Sequence, residues 1–282
     1  MRARSRAVVL AMLVVACAHP LPGEAGCKDC PPFPVPRAEA EFRELLDVPR
    51  GFASGGAVSL EEIFLNLMPY GPLDLQVTGA ATHDEISTLK NYYFGSVCRI
   101  LGVDPDRLTV VFNCGKGCVE KRRDQIRGNL DSWSEVAARF EAAAGVRLVG
   151  AWGAPVAFRV NDVLKAGEQV FVAAPSSVMG FIPGGRFSPK ASLAEALAER
   201  SLRVDQVENL ITSMTKVGAV AVRYRVAGGV EVIQLGIADN LSGVLFLSEG
   251  VEPPAERADH ENGSSYVLVE KLAKDVYFFE TR

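Results

Sequence analysis

No stretch of this 282-residue chain stays apolar for the roughly twenty residues that a bilayer-spanning helix requires. The body is therefore expected to be water-soluble. Basic charge is not in excess either: 30 Lys and Arg stand against 34 Asp and Glu, a net charge of −4. That balance leaves no electrostatic footprint for nucleic acid, and past the first few residues no polybasic segment for anionic lipid. The chain has no Gly-x-Ser-x-Gly nucleophile motif, no paired-histidine metal motif and no dinucleotide fingerprint. Its glycine-rich Cys114–Cys118 loop is not a phosphate loop, because Lys116 is followed by Gly117. No cofactor, metal or nucleic-acid partner is expected.

What is present begins at the N-terminus. Arg2, Arg4 and Arg6 precede an uncharged run from Ala7 to Ala16, and Cys17 ends it. A basic start and a short apolar core are the two halves of a secretory signal. Val14-Val15-Ala16-Cys17 resembles a bacterial lipobox, an apolar residue and two small or apolar residues before a cysteine that is acylated. The resemblance implies an exported lipoprotein held on a membrane through Cys17. The alternative is an ordinary secreted protein cut near Ala25-Gly26. Ala18, and not Asp, follows Cys17, which favours an outer over an inner membrane where the cell has both. Residues 18–37, with Pro31, Pro32, Pro34 and Pro36, read as a semi-stiff tether.

Export places the remaining cysteines in an oxidising compartment. With Cys17 lipidated, Cys27, Cys30, Cys98, Cys114 and Cys118 are left, and five cannot all pair. Cys27 and Cys30 are spaced to close a small loop in the tether. Cys114 can pair with Cys118, or either with Cys98. The proline-rich and glycine-rich settings of these cysteines argue against a zinc site.

Periodicity organises the rest. A short helix is expected at 38–47. Ser59-Leu60-Glu61-Glu62 and Thr82-His83-Asp84-Glu85 are capping-box patterns that start helices. The second helix carries Ile86, Leu89, Tyr93, Val97 and Leu101 at helical spacing and stops at Gly102. Strands are expected at 73–78, 108–112 and 146–152, with a helical stretch at 119–144 broken near Gly128. This alternation predicts α/β architecture, a mostly parallel sheet with flanking helices over 38–189. Further strands are expected at 155–160 and 169–174, then a Gly/Pro-rich loop at 180–189. Helices at 192–199 and 204–216 open an α+β section over 190–282, with antiparallel strands at 217–226, 230–237, 243–248, 266–271 and 275–281. Ala227-Gly228-Gly229 is a hairpin signal. Residues 249–265 read as a polar, acidic, mobile loop.

In a parallel sheet, reacting groups gather beyond the carboxyl ends of the strands. His83 and Cys114 both fall there, and a thiol beside a base is a nucleophile pair. Cys114-Gly115-Lys116 at a helix mouth would lower a thiol pKa and supply an oxyanion hole through Gly115. Trp152, between glycines, is a candidate pocket wall. The strand before His83, the strand Leu108–Asn113 before Cys114-Gly115, and the strand Arg147–Gly153 resemble, over roughly residues 70–187, the caspase-haemoglobinase fold of cysteine peptidases. That resemblance implies His83 as base and Cys114 as nucleophile, with Cys98 and Cys118 as the remaining disulfide pair. It departs from the family where Asp84, and not Gly, follows His83. Two functions therefore compete: an envelope lipoprotein that binds a protein or cell-wall partner, and a cysteine hydrolase.

Overall fold

The computed structural model describes residues 58–67, 83–105, 117–175, 183–236, 241–261 and 264–282, with single positions between 33 and 50. The signal, Cys17, Cys27 and Cys30 in the tether, the strands expected at 73–78 and 108–112, Cys114 and Gly115 lie outside the described residues. The helix expected at 38–47 is described only at Glu39, Arg43 and Leu46.

Ten strands form one sheet: β1 (Leu148–Gly150), β2 (Ala157–Val160), β3 (Val163–Ala166), β4 (Gln169–Pro175), β5 (Pro183–Lys190), β6 (Ala221–Tyr224), β7 (Val230–Leu235), β8 (Ser242–Phe246), β9 (Tyr266–Ala273) and β10 (Val276–Thr281). Their order is β5-β4-β3-β2-β1-β6-β7-β8-β10-β9, and every neighbouring pair is antiparallel. This corrects the mostly parallel sheet expected from the sequence. The physical reason lies in the loops. Asn161-Asp162 joins β2 to β3, and Gly167-Glu168 joins β3 to β4. A parallel connection needs a crossover of about a dozen residues or more, whereas two residues can only turn a hairpin. Asn161 and Gly167 take positive φ, 49° and 61°, as tight hairpin turns require. The strand at 146–152 therefore gains antiparallel partners on both sides, β2 and β6.

The Gly/Pro-rich stretch 180–189, read as loop, contains most of β5. Pro183 and Pro189 are compatible with a strand there because β5 is the sheet edge, where a missing N–H costs no ladder bond. Beyond residue 190 the strands continue the same sheet, since β6 lies directly against β1.

Six helices are described: α1 (Leu60–Leu67), α2 (His83–Leu101), α3 (Cys118–Gly128), α4 (Leu130–Ala142), α5 (Leu193–Ala198) and α6 (Val204–Val217). The Ser59 capping box is formed in both directions. Glu62 N–H donates to Ser59 Oγ at 3.1 Å, and Ser59 N–H donates to a Glu62 carboxylate oxygen at 3.1 Å. The α2 end is a Schellman turn: Val103 N–H reaches the Cys98 carbonyl at 2.9 Å around Gly102 at φ 63°, the left-handed position that glycine favours.

Strand alternation divides the core between the two faces. Val149, Val160, Val222, Val232, Val244 and Phe278 face Trp133, Phe140, Leu210 and Met214 of α4 and α6. On the other face, Ala157 and Leu164 pack with Phe64 of α1 and Tyr93 and Val97 of α2. Beside them Ala221, Ile233, Leu245 and Phe279 form a third cluster with Tyr266.

Candidate functional site

Two polar assemblies stand out, one on each face of the sheet. The first is a buried ion cluster. The Ala227-Gly228-Gly229 hairpin sets Arg223 of β6 directly opposite Glu231 of β7. In an antiparallel pair such residues touch, and Arg223 Nη2 meets Glu231 Oε2. Glu231 is fully buried and the Arg223 side chain is 3 % exposed. Arg223 Nη1 also donates to a Glu261 oxygen at 2.7 Å, and Glu261 accepts from Val226 N–H at 2.6 Å. His260 Nε2 lies 2.8 Å from Glu231 Oε1 and 3.1 Å from Arg223 Nη2. The imidazole stacks on Phe279 and meets Tyr266 edge-on.

Burial by itself would push the Glu231 carboxyl up, but Arg223 and then His260 outweigh it and hold it at about 2. Burial pushes the Tyr266 phenol well above its usual range, and the Glu231 charge adds to that. Arg223, Glu231 and His260 are buried, with Glu261 at the partly exposed edge, so the cluster binds chain to chain. Its effect is to fasten the 249–265 segment onto the sheet. Within the stretch 249–265 expected as a loop, His260 and Ser264 are buried, while Glu249, Glu252, Glu256 and Arg257 stay exposed.

These residues were missed in the sequence, although the signal was there. Pairing Tyr224 with Val230 across the glycine turn puts Arg223 against Glu231, two opposite charges on strands of otherwise apolar inward residues. His260 carries no such signal, because its partners are distant in sequence.

The second assembly is a cleft of about 310 Å³ on the helical face, lined by Gln125, Asn129, Ser132, Trp133, Lys216, Val217 and Gln234. The break between α3 and α4, the end of α6 and the strand β7 form its walls. Gln234 follows Val230 and Val232 at period two, so it points to the same helical face. Its Oε1 is buried with no hydrogen-bond partner. Asn129 precedes α4, but its side chain makes no cap bond.

Of the residues singled out from sequence, none of the described ones, His83, Cys98, Cys118 and Trp152, belongs to either assembly. His83 is the first residue of α2. Cys98, on the same helix, is a buried thiol, and Cys118 opens α3 and belongs to a disulfide. Trp152 is half-buried against the α1–α2 core, and its carbonyl accepts from Asn66 Nδ2 at 2.6 Å. The strand Arg147–Gly153, which the peptidase resemblance places in a parallel sheet, is antiparallel to both neighbours. Among the described residues no group of His, Cys, Asp and Glu is placed to hold a metal ion, and no helix is long and apolar enough to cross a membrane. No protein-family model, no curated protein and no solved structure matches the chain.

Proposed function

We propose that this chain is an exported lipoprotein of the bacterial cell envelope, anchored through acylated Cys17, that acts by binding a protein or cell-wall partner. The observation that carries the reading is the N-terminal order of three arginines, a short apolar run and Val14-Val15-Ala16-Cys17. A run of about ten residues is too short to span a bilayer. One acyl chain binds a membrane only reversibly, so stable anchoring takes more than one. A disulfide at Cys118 supports an oxidising compartment. Ala18 favours the outer membrane in a cell that has one. The binding role needs no reactive pair, and the one described strand of the peptidase resemblance, β1 at 148–150, runs antiparallel to both its neighbours rather than in a parallel sheet.

The test is metabolic labelling with radioactive palmitate followed by membrane fractionation. The wild-type chain is expected to incorporate label and to leave the membrane only with detergent, and Cys17→Ala to lose the label entirely. An unlabelled, soluble chain beginning near Gly26 would overturn the reading.

A further inference from the structure

We infer that the cleft between α3, α4, α6 and β7 is a binding site for an acidic sugar unit. The inference deepens the cell-wall reading above and rests on it for the source of the ligand. Three carboxamides, Gln125, Asn129 and Gln234, converge there with the Ser132 hydroxyl and the Lys216 ammonium. Among the described residues none of these five side chains hydrogen-bonds to another protein group, and the buried Gln234 Oε1 is left without a donor. Buried polar atoms in folded proteins are nearly always satisfied. An acceptor left open at the floor of a reachable cleft is what a ligand donor would complete.

The chemistry of the lining selects the class. A carboxamide presents a donor and an acceptor side by side, which suits neighbouring hydroxyls that each give and receive. No carboxylate lines the cleft, so an anion entering it meets no like charge. Lys216 is exposed and supplies a single positive charge, enough for one carboxylate and too little for a polyanion. Glu135 lies within electrostatic reach of Lys216. Its carboxyl is held below the usual range first by a hydrogen bond from Arg139 and only weakly by Lys216. Val217 supplies the apolar wall of the cleft, and Trp133 backs it from the core at 2 % exposure. The volume, about 310 Å³, lies at the small end of the ~300–1,000 Å³ usual for small-molecule sites.

The experiment titrates the full-length protein in detergent micelles with D-glucuronate, D-glucose and succinate, read by calorimetry and by Trp133 fluorescence in a Trp152→Phe background. Glucuronate is expected to bind at least about tenfold more tightly than succinate, which lacks the hydroxyls the carboxamides would pair, and more tightly than glucose, which lacks the carboxylate that Lys216 would meet. Lys216→Gln, an exposed position, should erase the preference for glucuronate over glucose. Gln234→Met should weaken both sugars. Succinate binding as tightly as glucuronate, no sugar binding at millimolar concentration, or binding unchanged in both variants would each overturn the inference. The anchor fails separately, in the fractionation, and leaves the titration unaffected.

Discussion

Glu231→Ala is expected to lower the unfolding free energy by about 3–5 kcal/mol, the usual cost of breaking a buried ion pair by removing one partner. The guanidinium of Arg223 would stay buried beside Arg225 and His260, with Glu261 as its remaining carboxylate. Desolvation of that charge, and not the loss of one contact, sets the size of the effect. Urea denaturation measures it. A double variant, Arg223→Met with Glu231→Leu, should cost clearly less than the two single changes together, because it removes the buried charge as well as its partner. A loss below about 1 kcal/mol for Glu231→Ala would be that of an exposed surface pair and would show that the cluster does not fasten the 249–265 segment.

The same carboxylate gives the fold a defined acid sensitivity. Its folded pKa of about 2 lies below the ordinary Glu value of about 4.3. A group depressed on folding stabilises above its unfolded pKa and loses that contribution as pH falls through the folded one. The stabilisation from Glu231 should therefore be complete above about pH 4.3 and vanish between there and about pH 2, a change of about 3 kcal/mol at 1.36 kcal/mol per unit. Urea midpoints measured across that window should fall more steeply for the wild type than for Glu231→Gln, which has no proton to gain. Parallel slopes would contradict the depressed pKa.

The second large effect is expected at Gly229, with Gly229→Ala destabilising by 3 kcal/mol or more. Gly229 has φ 94°, a region that L side chains rarely enter, at a cost of about 1–3 kcal/mol. A Cβ there would also sit 2.1 Å from the Phe246 carbonyl oxygen of β8. Backbone in a central sheet cannot move aside as a side chain can, so the overlap adds to the strain. Gly250 is the control. Its φ is also positive, 78°, but a Cβ would meet nothing within 4 Å. Gly250→Ala should cost only the conformational part, about 1 kcal/mol. Thermal and urea midpoints of the two variants measured side by side decide the matter; equal losses would mean that β7 and β8 are not in the register that places Val230 against Phe246.

Gly229 and Glu231 belong to one argument. The glycine turn fixes which residues of β6 and β7 stand opposite, and a slip of one position would move Glu231 to the helical face. There it would meet Val222 and Phe140 instead of Arg223. Turn geometry thus decides whether the buried charge is paired.

How much of this was written locally can be seen element by element. The Ser59–Glu62 box, the break after Gly128 and the glycine stop at 102 are short-range. Each is satisfied within a few residues of itself, so spacing alone placed these helix ends. Period-two patterning likewise marked most strands after residue 146. Strand direction was not local. A strand–helix–strand rhythm over 73–152 suggested crossovers, and four-residue β3 was too short to be seen between β2 and β4, where the described strands are joined by hairpins. The cleft was equally hidden, because Gln125, Asn129, Lys216 and Gln234 come from elements up to about a hundred residues apart and form no motif in sequence.

By itself, then, the sequence determined where the described helices begin and end and which residues prefer an extended chain, because capping, glycine conformation and side-chain periodicity act over one or two turns. The tertiary structure decided that the ten described strands run antiparallel in one sheet. It also brought His260 and Glu261 to close a charge pair some thirty residues upstream, and drew five polar side chains of four elements into one cleft. The physical reason is that pairing direction, burial and electrostatic partnership are properties of contact across the chain, and contact across the chain is set only when the core closes.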